Sequence, residues 1–180
     1  MEDAELEQDL IDFEDAEIWG GDAALVDIEF TDQRIWGMVP LDRITAVCNP
    51  LRDPPWYDGQ GITAEGVGAA LREGRFELRQ YSLDRLGPDW TVAQHEERIA
   101  WLVQNPQTDP IEIEFSHPNY ETFSIDDGNH RLAAAIYRQD AAIAVQLGGY
   151  FGNCVRALGI ICRPLQRIEP APQRTLAPVI

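Results

Sequence analysis

The chain's 180 residues carry 31 acidic side chains against 14 basic ones, a formal net charge of −17, with 44% apolar and 25% charged residues: the balance of a globular domain long enough for a real core. No apolar run approaches the length of a membrane span, and the N-terminus is acidic rather than the basic start of a signal peptide, so a cytoplasmic protein is expected. Every basic residue is an arginine, and the absence of lysine excludes a Walker-type phosphate loop, a Schiff base and any kinase fold that needs its strand lysine.

Residues 1–17 hold nine carboxylates and no base, interrupted by Leu6, Leu10, Ile11 and Phe13. Such a segment is either a solubilising tail or a docking element, for a protein partner or for the chain's own basic end. Leu25–Phe30 alternates, Thr31-Asp32-Gln33 turns, and Arg34–Val39 returns until Pro40 stops it, which predicts a β-hairpin. Cys48–Gly61 is rich in Pro, Asp and Gly and reads as a loop. Its Trp56 and Tyr57 either stack on a base or cover the core edge. Ile62–Arg72 is predicted helical, capped by Thr63 and stopped by Gly74, with Gly66 and Gly68 working against it.

Thr91-Val92-Ala93-Gln94 is a capping box, and Val92, His95, Ile99 and Leu102 stripe the helix it opens. His95 is then a core histidine, or one that supports a neighbouring site. Ser116–Asn119 is a turn between strands, with His117 exposed. Tyr120–Ile125 alternates as a strand, and Leu132, Ala135, Ile136 and Gln139 fall at helical spacing. Beyond Leu147, Gly148-Gly149 breaks the pattern. Val155–Leu165 is apolar enough to dock as a final strand or helix. Beyond it the chain is Pro-rich, and residues 151–180 carry four arginines against Glu169, the one clearly basic region. Cys48, Cys154 and Cys162 form no C-x-x-C pair and read as reduced, buried thiols. The three histidines are too scattered for a zinc site.

The stretch with chemistry is Asp126-Asp127-Gly128-Asn129-His130-Arg131, a tight strand-to-helix turn. The first N–H groups of a helix lack internal partners and carry partial positive charge, so an anion fits there. Gly128 permits close approach, Arg131 offers a bidentate fork, and His130 can donate a hydrogen bond or move a proton. Asp126 and Asp127 would repel a phosphate unless a divalent cation lay between, which implies Mg²⁺. The plain alternative is an ordinary Asp-Asp-Gly turn with an Asp or Asn helix cap. One charge-assisted bond from Arg131 is worth roughly 1.5–3 kcal/mol. The helix end adds about 0.3–1 kcal/mol. With one histidine bond the sum is roughly 4 kcal/mol, a Kd near 1 mM, so the metal and base contacts elsewhere, such as the Trp56-Tyr57 loop, must supply the rest.

Asp127-Gly128-Asn129-His130-Arg131-Leu132-Ala133-Ala134-Ala135 resembles the Gly-x-His-Arg turn of the ParB/sulfiredoxin-like superfamily. The likeness extends over roughly residues 76–150. Phe76–Leu86 would be the family's opening strand and Ala141–Leu147 its returning strand; Leu41-Asp42-Arg43 is echoed by Leu83-Asp84-Arg85, and either could open the sheet, the second at the distance from the motif that fits. The resemblance implies an α+β fold, a small mixed sheet with packed helices, here preceded by a β-hairpin extension. It divides the chain into an acidic tail (1–20), an N-terminal extension (21–75), the core (76–150) and a C-terminal docking segment with a Pro/Arg tail (151–180). It implies ATP or CTP held with Mg²⁺, the phosphates on Gly128, Asn129, His130 and Arg131, the metal on Asp126 and Asp127, and catalytic roles for Asp127, His130 and Arg131. Sulfiredoxin chemistry is not expected, because Asn129 stands where the reactive cysteine would be and Gln94 where a phosphate-binding lysine would be. A nucleotide hydrolase or phosphotransferase is the leading expectation. The alternatives are a nuclease-like or DNA-associated plasmid or phage protein, and a non-catalytic acidic interaction protein such as a regulator, toxin–antitoxin component or anti-defence factor.

Overall fold

The computed structural model describes residues 23–31, 34–53, 61–79, 90–115, 124–149 and 151–165. The order of elements is β1 (Ala24–Thr31), β2 (Arg34–Pro40), α1 (Leu41–Val47), α2 (Ala64–Glu73), α3 (Val92–Gln104), β3 (Ile111–Phe115), β4 (Ser124–Asp127), α4 (Asn129–Arg138), β5 (Ala142–Gly149), α5 (Phe151–Leu158) and β6 (Ile160–Pro164). The strands form one mixed sheet in the order β4-β3-β5-β2-β1-β6. The acidic segment 1–17, the Trp56-Tyr57 pair, Leu83-Asp84-Arg85, His117 and the Pro/Arg tail from residue 166 lie outside the described residues.

Strand alternation places Val26, Ile28, Ile35, Val39, Val145 and Leu147 on one buried sheet face. Leu41 and Ile44 of α1, Leu132 and Ala135 of α4, and Val155 and Leu158 of α5 cover that face. A second cluster joins α2 and α3 to α4, through Val67, Ile99, Leu102, Ala133 and Ala134. Helix α4 thus has neighbours on two sides. Ala133, Ala134 and Ala135 are all buried, and their small side chains let both layers approach closely. The alanine run is a packing requirement as well as a helix signal.

The hairpin β1–β2 is not appended to the sheet but central to it: β2 pairs antiparallel with β5 from Ile35↔Leu147 to Pro40↔Ala142. β6, from the C-terminal segment, pairs parallel with β1. Leu41-Asp42-Arg43 is not an opening strand but the first turn of α1, with Pro40 as its N-cap residue; proline fits there because its missing N–H is not needed. Residues 76–79, the described part of the other candidate strand, are also not strand. There Glu77 accepts from the backbone N–H and side chain of Arg79, a local loop pairing. Strand β5 runs through Gly148 to Gly149, whose φ is 65°, before α5 begins. The apolar stretch after residue 151 is a helix followed by a strand.

Candidate functional site

Strand β4 pairs with β3, Asp127 opposite Glu112, and a bulge falls between Glu112 and Ile113. The chain then turns at Gly128, with φ 97° and ψ 12°. A Cβ there would lie 2.7 Å from Ile111 Cγ2 and 3.0 Å from Ile111 Cα, so both the backbone angle and the space demand glycine. Helix α4 follows, and its first intrahelical bond is Leu132 N–H to Gly128 O, 2.9 Å. The amides of Asn129, His130 and Arg131 therefore precede the ladder. No side chain caps this end. The other long helices are closed differently: Thr63 accepts from Gly66 N–H at α2, and Thr91 and Gln94 form a full capping box at α3. The expected Asp or Asn cap is not used at α4, since Asn129 Nδ2 turns back to donate to Ile125 O at 3.1 Å.

Arg131 is not a free fork. Its Nη2 donates to Pro110 O at 2.9 Å and to Asp127 Oδ2 at 3.0 Å. Its Nε is buried and has no hydrogen-bond partner among the described residues. The Arg131 side chain is 18% exposed, but that of Asp127 is 68% exposed. An i,i+4 bridge with so wet a partner is worth roughly 0.3–0.5 kcal/mol. A polyanion at the helix end could therefore replace Asp127 on Arg131 at small cost.

His130 projects to the other side of α4. Its Nε2 lies 2.9 Å from Nδ1 of His95. The two rings are tilted by only 14° with centroids 5.1 Å apart, the spacing of an in-line bond between nearly coplanar imidazoles rather than of a face-to-face stack. Trp90 closes over both, at 5.5 and 5.8 Å. Arg98 is buried nearby. It donates to Leu78 O at 3.2 Å and lies 4.5 Å above the ring of Trp101. Burial holds His130 well below the usual imidazole range, and His95, Arg98 and Arg131 add to the shift. His130 is thus neutral near pH 7. With Nε2 engaged by His95, any proton it moves is coupled to a second ring.

Spacing singled out Gly128, His130 and Arg131 and passed over Trp90 and Arg98. Trp90 had a signal: it stands just before the capping threonine, and its contact with His95 four positions into the helix is a hydrophobic staple. Arg98 follows His95 by three residues on the same stripe; arginine is rarely read as core. Among the described residues, no group of three or more His, Cys, Asp or Glu side chains is placed to hold a metal ion. Asp126 and Asp127 are adjacent and exposed, so a Mg²⁺ here would need phosphate oxygens and water to complete its shell. A groove of about 540 Å³ begins at Arg131 and runs beside α4 to Arg138. Arg138 also lines it, bonded to Asp140 and to Leu102 O.

These features define a mixed α+β protein whose glycine-initiated helix carries an arginine at its N-terminus. Comparison with family models, curated proteins and solved structures finds no match to the chain. The likeness to the ParB/sulfiredoxin-like superfamily rests on the residues that carry it.

Proposed function

We propose that this protein binds a nucleotide by its phosphates at the N-terminus of α4, with Mg²⁺ carried on those phosphates, and hydrolyses or transfers the terminal phosphoryl group. One observation supports this above all: α4 opens at a positive-φ glycine with no side-chain cap, and an arginine held by an exposed carboxylate stands at the same turn. The amides of Asn129, His130 and Arg131 would receive phosphate oxygens. Phosphate would displace Asp127 from Arg131, freeing that carboxylate to meet Mg²⁺ or to accept a proton from the attacking group. Arg131 would then stabilise charge developing on the phosphoryl oxygens. The His130 ring, neutral and bonded to His95, would brace the turn from behind, and its backbone N–H rather than its imidazole would face the phosphate. Of the two nucleotides that the resemblance implies, ATP and CTP, nothing at the helix end prefers either.

DNA is the poorer ligand. A chain of net charge −17 repels it. The arginines beside the sheet's outward face are also paired, Arg163 with Asp27 and Arg34 with Glu112.

The test is a melting-temperature screen with millimolar ATP, CTP and GTP plus Mg²⁺, followed by product identification. Stabilisation of the wild type, lost in Arg131→Ala, is expected. An unmoved wild-type melting temperature with all three nucleotides would overturn the proposal.

A further inference from the structure

The groove beside α4 exists because the sheet has a notch. β5 pairs with β2 from Ala142 onward, but β3 joins it only at Ile111↔Val145. On that side Ala142, Ile143 and Ala144 face no described strand. The chain at Pro106–Asp109 passes opposite, across the groove. Backbone N–H and C=O groups along a strand edge need partners, and here they line a concave wall. The rest of the lining is largely apolar: Trp36 and Met38 of β2, Leu102 of α3, Ala134 of α4 and Pro106. A volume of 540 Å³ lies within the range of small-molecule sites, which combine apolar walls with a few fixed polar groups. The groove is also continuous with the helix end. Arg131 lines it, and Arg131 Nη2 is 3.0 Å from where a Cβ of Gly128 would stand.

We infer that this notch is the seat of the nucleotide's base: a flat heteroaromatic ring, its face on Trp36 and its polar edge on the backbone groups of residues 142–144 that point away from β2. The inference rests on the phosphate site proposed above and gives it a specificity pocket. A stacked, edge-bonded ring supplies the affinity that the helix end alone lacks, since aromatic stacking is sequence-tolerant while the backbone edge is not. An extended peptide is the competing occupant. It could pair with three residues of β5 at most, less than an ordinary strand of about five or six.

Calorimetry on the full chain with Mg²⁺ separates the two layers of the proposal. The probes are inorganic tripolyphosphate and the four ribonucleoside triphosphates. At least one nucleotide is expected to bind about tenfold or more tightly than tripolyphosphate, the contribution of one stacked base. Trp36→Ala removes the platform and Ala144→Leu fills the notch. Both are expected to bring that nucleotide to the tripolyphosphate level while leaving tripolyphosphate affinity unchanged; Trp36→Ala serves if Ala144→Leu fails to fold. If nucleotides and tripolyphosphate bind alike, or if folded variants keep the preference, the notch is not the base site although the helix-end proposal survives. If neither ligand binds the wild type, both proposals fall.

Discussion

At the residue scale, Gly128 and His130 give the sharpest expectations. Gly128→Ala places a Cβ at positive φ and against the backbone of Ile111. The conformation alone costs roughly 1–2 kcal/mol, and the contact adds to it. A urea titration should show that loss or more; an unchanged midpoint would mean the turn is not held as described. His130 sets a pH dependence. Its folded-state proton affinity is depressed by burial and by three cationic or titratable neighbours, so the unfolded chain binds the proton better. That contribution is fully present above the unfolded imidazole pKa near 6.5 and is lost as pH falls below it, by up to about 1.4 kcal/mol per pH unit. Stability measured between pH 7 and pH 5 should fall more steeply for wild type than for His130→Asn. Equal slopes would place the ring in solvent. The identities of Gly128, His130 and Arg131 were legible because each carries a chemical demand at fixed spacing. The His95–His130 bond was not, since it depends on where α3 and α4 settle; the Asp127–Arg131 bridge, though local in sequence, needed the geometry of the turn at Gly128.

At the element scale, the two threonine caps were readable and hold. Thr91→Ala removes one half of the capping box of α3, worth about 1 kcal/mol. For a domain of this size a fall in melting temperature of about 2–4 °C is expected by calorimetry; no fall would mean Trp90 alone fixes that end. Gly66 counted against α2 in the sequence, and the structure supplies its reason. Glu96 of α3 lies over it and accepts from the Thr63 N–H and hydroxyl, each at 3.1 Å, so a side chain would displace the carboxylate that ties α2 to α3. Gly68 likewise makes room for the Tyr137 hydroxyl of α4. Long-range partners of this kind leave no local signal. Nor does α1: its few residues after Pro40 are short of the helical period that marked α3 and α4.

At the scale of the whole molecule, the alternation of β1 and its return in β2 were legible, but the joining of the strands into one sheet was not. The order β4-β3-β5-β2-β1-β6 depends on non-local pairing, which periodicity does not encode. Charge is a global property and carries its own expectation. With a net charge of −17, self-repulsion opposes compaction, and the exposed ion pairs repay little. Raising NaCl from low salt to about 0.15 M shortens the screening length to about 8 Å and should raise the melting temperature; a decrease would show that ion pairs outweigh repulsion. The open end of α4 is proposed to receive a polyanion through three amides and Arg131. Amide NMR during titration with Mg²⁺–ATP tests it most directly. The largest shifts should fall on Asn129, His130 and Arg131, with the Arg131 Nε–H signal moving as Asp127 is released. Saturating nucleotide that leaves those four signals in place would contradict it.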